Sequence, residues 1–127
     1  MKILLVDDDR TMRRIASLSL TRKGGHEVIC ASSGAEAASM AEACLPDLII
    51  LDLVMPGMDG LEVCRRFQAV SKTRGVAVIF LSAKAEPDDI RRFMEAGAVG
   101  WIKKPFDPLS LSDEVNDILS KAGREDA

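Results

Sequence analysis

The segment Leu48-Ile49-Ile50-Leu51-Asp52-Leu53-Val54-Met55-Pro56-Gly57-Met58-Asp59-Gly60 decides how the rest of the chain is read. Its first four residues are apolar without alternation. A strand with one face in water would alternate, so both faces of this one are covered, as at the centre of a parallel sheet. An acid, Asp52, follows the apolar run directly. Asp59 is a residue type that caps helices, and it predicts a helix from Gly60 to about Val70.

The same alternation of elements continues on both sides. Residues 3–6 form a second buried run, 27–31 a weaker one, and 76–81 and 99–102 complete five strands. The intervals have helical spacing. Met12, Ile15, Ala16 and Leu20 share a face, and Gly24-Gly25 stops that helix. Ser33 caps an Ala-rich helix that ends near Cys44, before Pro46. Pro87 suits a first turn, Ile90, Phe93 and Met94 share a face, and Gly97 ends the helix. Asp107 and Pro108 open the last helix, whose Leu111, Val115, Ile118 and Leu119 follow the amphipathic pattern. Strands alternating with helices predict a doubly wound (βα)5 α/β fold, with a parallel sheet and right-handed crossovers. No repeat or second periodic block exists, so the domain is expected over 1–122 with a charged tail at 123–127.

Composition narrows the function classes. A chain of 127 residues with 47% apolar content can bury one core. The net charge of −3 and the lack of a basic block disfavour nucleic acid as partner. No apolar run reaches the roughly 18 residues of a membrane span, and the start is too soon acidic for a signal peptide. A cytoplasmic location is the expectation. Cys30, Cys44 and Cys64 form no metal-ligand spacing and are read as buried or half-buried residues. His26, the only histidine, is read as a surface residue at a turn, and no multi-histidine site can form.

The polar residues gather when placed on this scaffold. Asp7, Asp8 and Asp9 follow the first strand, Asp52 the third, Ser82 the fourth and Lys104 the fifth. All stand at carboxyl ends, where open α/β sheets carry their sites. Carboxylates on one rim repel, which raises at least one pKa unless a cation neutralises them. Oxygen ligands without His or Cys favour a hard ion, and Mg²⁺ fits best. A carboxylate can act as nucleophile toward phosphorus, and such a transfer needs mainly positioning and charge neutralisation.

VDDDRTMRR, LDLVMPGMDG, FLSA and KKPF, in this order and at these strands, resemble the response-regulator receiver family, whose chemotaxis member is CheY. The resemblance covers roughly residues 2–121. It implies the flavodoxin-like strand order 2-1-3-4-5. It implies that Asp52 is the phosphoacceptor, that Asp8 ligates the metal directly, and that Asp7 acts mainly through water. The backbone carbonyl of Val54 resembles the third protein ligand. Ser82 resembles the hydroxyl that follows the phosphoryl group, and Lys104 the phosphate-binding lysine. The Lys104–Pro105 bond is expected to be cis. Trp101 stands where the family generally has a switch Tyr or Phe. Its larger indole leaves two readings open, a switch or a lasting partner surface. The resemblance further implies a sensor histidine kinase or His-phosphotransfer protein as donor, docking near the first helix and the rim. It implies an output face on the fourth helix, fifth strand and fifth helix, offering Arg91, Glu95, Trp101 and Lys103. Such a chain is a phosphorylation switch rather than a turnover enzyme. It loses its phosphate to water at a rate that Val54 and Lys84 should influence. Unless it is a fragment cut from a longer regulator, it is expected to signal by protein contact, as a monomer or a phosphorylation-dependent dimer.

Plainer roles stand beside these. Asp9 and Asp59 are read as helix caps. Lys103 is a solvated lysine, since alternation sends it and Lys104 to different sides. Arg13-Arg14, Arg65-Arg66 and Arg91-Arg92 are read as solvated helix faces, the last pair with a possible part in partner binding. The rival function is a Mg²⁺-dependent phosphatase, because Asp7-Asp8-Asp9-Arg10-Thr11 also matches the DxDxT motif of the haloacid dehalogenase superfamily, with Asp7 as nucleophile. That rival leaves LDLVMPGMDG without a role and lacks the further acidic motif it needs.

Overall fold

A computed structural model describes residues 1–123. Numbering only the strands of its main sheet, β1 is Lys2–Val6, β2 Glu27–Ala31, β3 Leu48–Asp52, β4 Ala77–Ser82 and β5 Gly100–Lys103. The helices are α1 Arg10–Arg22, α2 Gly34–Cys44, α3 Gly60–Ala69, α4 Pro87–Glu95 and α5 Leu111–Lys121. The strands lie in the order β2-β1-β3-β4-β5, every neighbouring pair parallel. The fold is the α/β flavodoxin-like arrangement expected, with β3 in the middle.

The unbroken apolar runs divide by parity. Leu4, Val6, Ile49, Leu51, Val78 and Phe80 face one way and pack with Leu61, Cys64, Phe67 and Phe93 of α3 and α4. Ile3, Leu5, Leu48, Ile50, Ile79 and Leu81 face the other way and pack with Ala16, Leu20, Leu111, Val115 and Leu119 of α1 and α5. Successive residues of a strand point to opposite faces, so one run fills two cores. That double burial is what removes the alternation from the sequence.

Local chemistry sets the helix ends. The Asp9 carboxylate accepts from the Thr11 and Met12 N–H groups, Ser33 Oγ from Glu36 N–H, and Asp59 from Leu61 N–H. Pro87 occupies the first turn of α4, and the Asp89 side chain accepts the Glu86 N–H. α2 closes on Leu45 at φ 48°, a left-handed conformation that costs a non-glycine residue about 1–2 kcal/mol.

Five expectations need correction. α5 starts at Leu111, because Asp107 first closes its own turn: its carboxylate accepts Leu109 N–H and its carbonyl accepts Ser110 N–H. The two later strands begin one residue beyond their expected starts, at Ala77 and Gly100. His26 is buried at 8% exposure and lies 3.1 Å from the Met1 amine through Nδ1, a contact across 25 residues of chain. Ile15 and Met94 share faces with buried neighbours yet are 37% and 49% exposed, at the margins of their apolar stripes. Arg13 is half-buried rather than solvated. A two-residue antiparallel ribbon, Val54–Met55 against Met58–Asp59, lies between β3 and α3. Of the predicted tail, residues 124–127 lie outside the described residues.

Candidate functional site

The sheet reverses its strand order between β1 and β3, and the loops leaving those strands open a crevice at their carboxyl ends. Asp52 is the last residue of β3 and pairs in register with Leu81. Asp7 follows β1 and continues its pairing through a 3.1 Å bond from its N–H to the Ala31 carbonyl. Asp8 is next and exposed, whereas Asp7 and Asp52 are buried at 1% and 6% exposure. One carboxylate oxygen from each of the three lies within 4.8 Å of the others.

Lys104 closes the cluster. Its Nζ lies 3.0 Å from Asp7 Oδ2 and 3.2 Å from Asp52 Oδ1. The Lys104 N–H donates to the Ser82 carbonyl at 2.8 Å, which continues the β4–β5 pairing, and the following Lys104–Pro105 peptide is cis. The other Asp7 oxygen accepts the Asp9 N–H at 2.9 Å. Asp9 itself points into α1 as its cap. The structure therefore brings together Asp7, Asp8, Asp52 and Lys104, and it leaves Asp9 out.

Burial pushes the Asp52 carboxyl up to about 6, and the Asp7 charge pushes the same way. The Lys104 ammonium and the Val54 N–H pull it back without cancelling those effects. Burial pulls the Lys104 ammonium down, but the Asp7 hydrogen bond and the Asp52 and Asp7 charges outweigh it, and the net shift is upward. One ammonium thus serves two buried acids and leaves one of them strained. That shortage of positive charge is the test of whether a divalent cation fits here. An all-oxygen donor set with a spare negative charge suits a hard ion.

Ser82 is buried at 3% exposure. Its hydroxyl donates to the Lys84 carbonyl at 2.6 Å and accepts the Lys84 N–H at 3.1 Å, so it is closed on its own loop. Val54 sits beside the cluster with its side chain 76% exposed. Trp101 is half-buried, paired in register with Phe80, and packed against the core on the α3–α4 side. It packs on the core with one side and keeps the other at the surface. One site role was missed, that of Arg13, and Lys84, expected only to influence phosphate loss, has a structural part as well. Arg13 donates from Nη1 to the Asp7 carbonyl at 2.7 Å, and Lys84 holds Ser82. Arg13 stands four residues after the cap of α1, within a turn of the rim, and that spacing was the available signal.

A parallel doubly wound sheet with three acids and a lysine at its switch point defines a phosphoryl-accepting class of signalling domain. The chain belongs to the response regulator receiver domain family, which it matches over residues 3–116. It is 37% identical to the transcriptional regulatory protein AfsQ1 of Streptomyces coelicolor, over 97% of this chain and 53% of that one. It is likewise 37% identical to the alkaline phosphatase synthesis transcriptional regulatory protein PhoP of Bacillus subtilis, over 95% of this chain and 49% of that one. It therefore spans about half the length of these relatives. Among solved structures it resembles the chemotaxis protein CheY4 of Vibrio cholerae, with a TM-score of 0.86 and 32% identity over 93% of this chain and 98% of that one. The protein is a two-component response regulator receiver, a signalling switch. The phosphatase alternative falls with this match, and the geometry agrees, since Asp9, the second acid of its motif, is spent on the helix cap. Among the described residues no helix is long and apolar enough to cross a membrane.

Proposed function

We propose that Asp52 accepts a phosphoryl group from a phosphohistidine of a sensor kinase or phosphotransfer protein, with Mg²⁺ held by Asp7, Asp8, Asp52 and the Val54 carbonyl. The observation that carries this reading is the buried Asp7–Asp52–Lys104 triangle beside exposed Asp8. Asp52 attacks phosphorus, the bond to the donor imidazole breaks, and the imidazole leaves with the electron pair. Mg²⁺, when bound, neutralises the incoming charge and polarises the phosphoryl oxygens. Lys104 moves from bridging two carboxylates to holding the phosphoryl group, and its net upward pKa shift keeps it charged for that task. Ser82 releases Lys84 and turns its hydroxyl to a phosphoryl oxygen. Trp101, on the neighbouring strand, repacks as that loop moves.

The donor docks beside the rim on α1. Arg10, Arg13, Arg14 and Arg22, with the cap residue Lys23, place five cations and no acid on this segment. Ile15 and Leu18 are exposed among them. Output leaves by the α4–β5–α5 face, where clefts of about 460 and 520 Å³ both reach Trp101 and Ile118.

Exposure to acetyl phosphate with Mg²⁺ is expected to add one phosphoryl mass to the wild-type chain and none to Asp52→Asn. Omission of Mg²⁺ should abolish the adduct. Labelling of Asp52→Asn at Asp7 would refute the assignment.

A further inference from the structure

Arg13 touches no carboxylate among the described residues, yet it is tied to the acid cluster. Its Nη1 reaches back from the first turn of α1 to the Asp7 carbonyl at 2.7 Å, a charge-assisted bond across six residues. That carbonyl belongs to the peptide joining Asp7 to Asp8. The opposite side of the loop is held by Asp7 Oδ1, which accepts the Asp9 N–H, and by Asp9, which caps α1. Lys104 holds the Asp7 side chain and the Ala31 carbonyl holds its N–H, so Arg13 is the side chain that grips the carbonyl of the Asp7–Asp8 peptide. Asp8 is exposed and makes none of these bonds, so the direction of its carboxylate depends on the peptide plane before it.

We propose that Arg13 is a positioning residue for the divalent ion. It orients the Asp7–Asp8 peptide so that the Asp8 carboxylate faces Asp7 and Asp52. This rests on the metal reading given above. Arg13 has two opposed effects on a bound cation. Its charge repels the ion, and its hydrogen bond pre-orders an acid ligand. The guanidinium is only half-buried, so solvent screens its charge in part, whereas the hydrogen bond fixes the peptide, and ordering prevails. Lysine keeps the charge but has no planar fork, and cannot reproduce the same reach and direction.

The experiment is a calorimetric titration of Mg²⁺ into the wild-type chain, Arg13→Lys and Arg13→Gln, with thermal melts of each in EDTA. The expected result is Mg²⁺ affinity weakened about 5- to 10-fold in both variants, the size of one lost charge-assisted hydrogen bond. Melts in EDTA report any general loss of fold separately, and a purely structural role would lower those melts while leaving the affinity unchanged. Unchanged or tighter Mg²⁺ binding by Arg13→Gln overturns the proposal, since removal of a repelling charge would then be the whole effect. Absence of Mg²⁺ binding by the wild-type chain overturns the metal reading, and this proposal with it.

Discussion

Asp52 ends a strand that has no polar residue before it, and burial follows from that position. Its carboxyl is raised from 3.8 to about 6 in the folded chain. The native state therefore holds this proton more tightly than the unfolded chain does. Stability from this group is fully present below 3.8 and is lost as pH rises toward 6 and above. At about 1.4 kcal/mol per pKa unit the loss is of order 2–3 kcal/mol. In EDTA at neutral pH, Asp52→Asn is thus expected to melt roughly 5 °C or more above wild type, and the gap should close below pH 4. A lower melting temperature for Asp52→Asn would show that the ion pair with Lys104 outweighs desolvation. Asp52, Asp7, Asp8 and Lys104 were all legible as strand-end residues, because the fold class alone sends such residues to one rim. The sharing of Lys104 between two acids was not, since 97 residues separate it from Asp7. Nor was the burial of His26, which depends on the approach of Met1.

Among the elements, the β3–α3 connection is held by backbone rather than by side chains at its glycine. A Cβ on Gly60 would stand 2.8 Å from the Asp52 carbonyl oxygen and from Leu53 Cα and O, all backbone atoms that cannot yield cheaply. Gly60→Ala is expected to cost about 1–3 kcal/mol by overpacking and to slow acetyl-phosphate labelling of Asp52. Gly75→Ala, where no atom lies within 4 Å, is the matched control and should leave both denaturation midpoint and labelling near wild type. Helix starts at Asp9, Ser33, Asp59 and Pro87 were readable because caps are local chemistry. The start of α5 was misread for the same reason. Asp107 has capping chemistry but spends it on a separate turn. The short ribbon before α3 left no signal, since two-residue strands are too brief for any period.

The molecule as a whole is one sheet between two apolar layers, and its site joins the loops of four strands. A cation that binds those loops binds the folded chain only, so Mg²⁺ held as proposed is expected to stabilise by mass action. At a hundredfold excess over its dissociation constant the gain is about 2.7 kcal/mol, visible as a raised melting temperature. Asp7→Asn with Asp8→Asn should lose that dependence. Trp101, the only tryptophan, reports on β5 without labelling. Its emission is expected to shift on phosphorylation by acetyl phosphate, and an unchanged spectrum would remove it from the switch. The parallel character of the sheet was readable from the runs, because double burial leaves strands apolar throughout, whereas the strand order came with the family resemblance. The division of helices, α1 and α5 against α2, α3 and α4, follows from that order and right-handed crossovers.

On the proposed switch, the paired hydrogen bonds between Ser82 and Lys84 would set how quiet the protein is before any signal arrives. Each is worth about 1 kcal/mol net, so on that reading together they would hold spontaneous firing to a few per cent of molecules. Ser82→Ala would cut the brake and the trigger at once. It is expected to leave a receiver with more background leak and a smaller response on top of it.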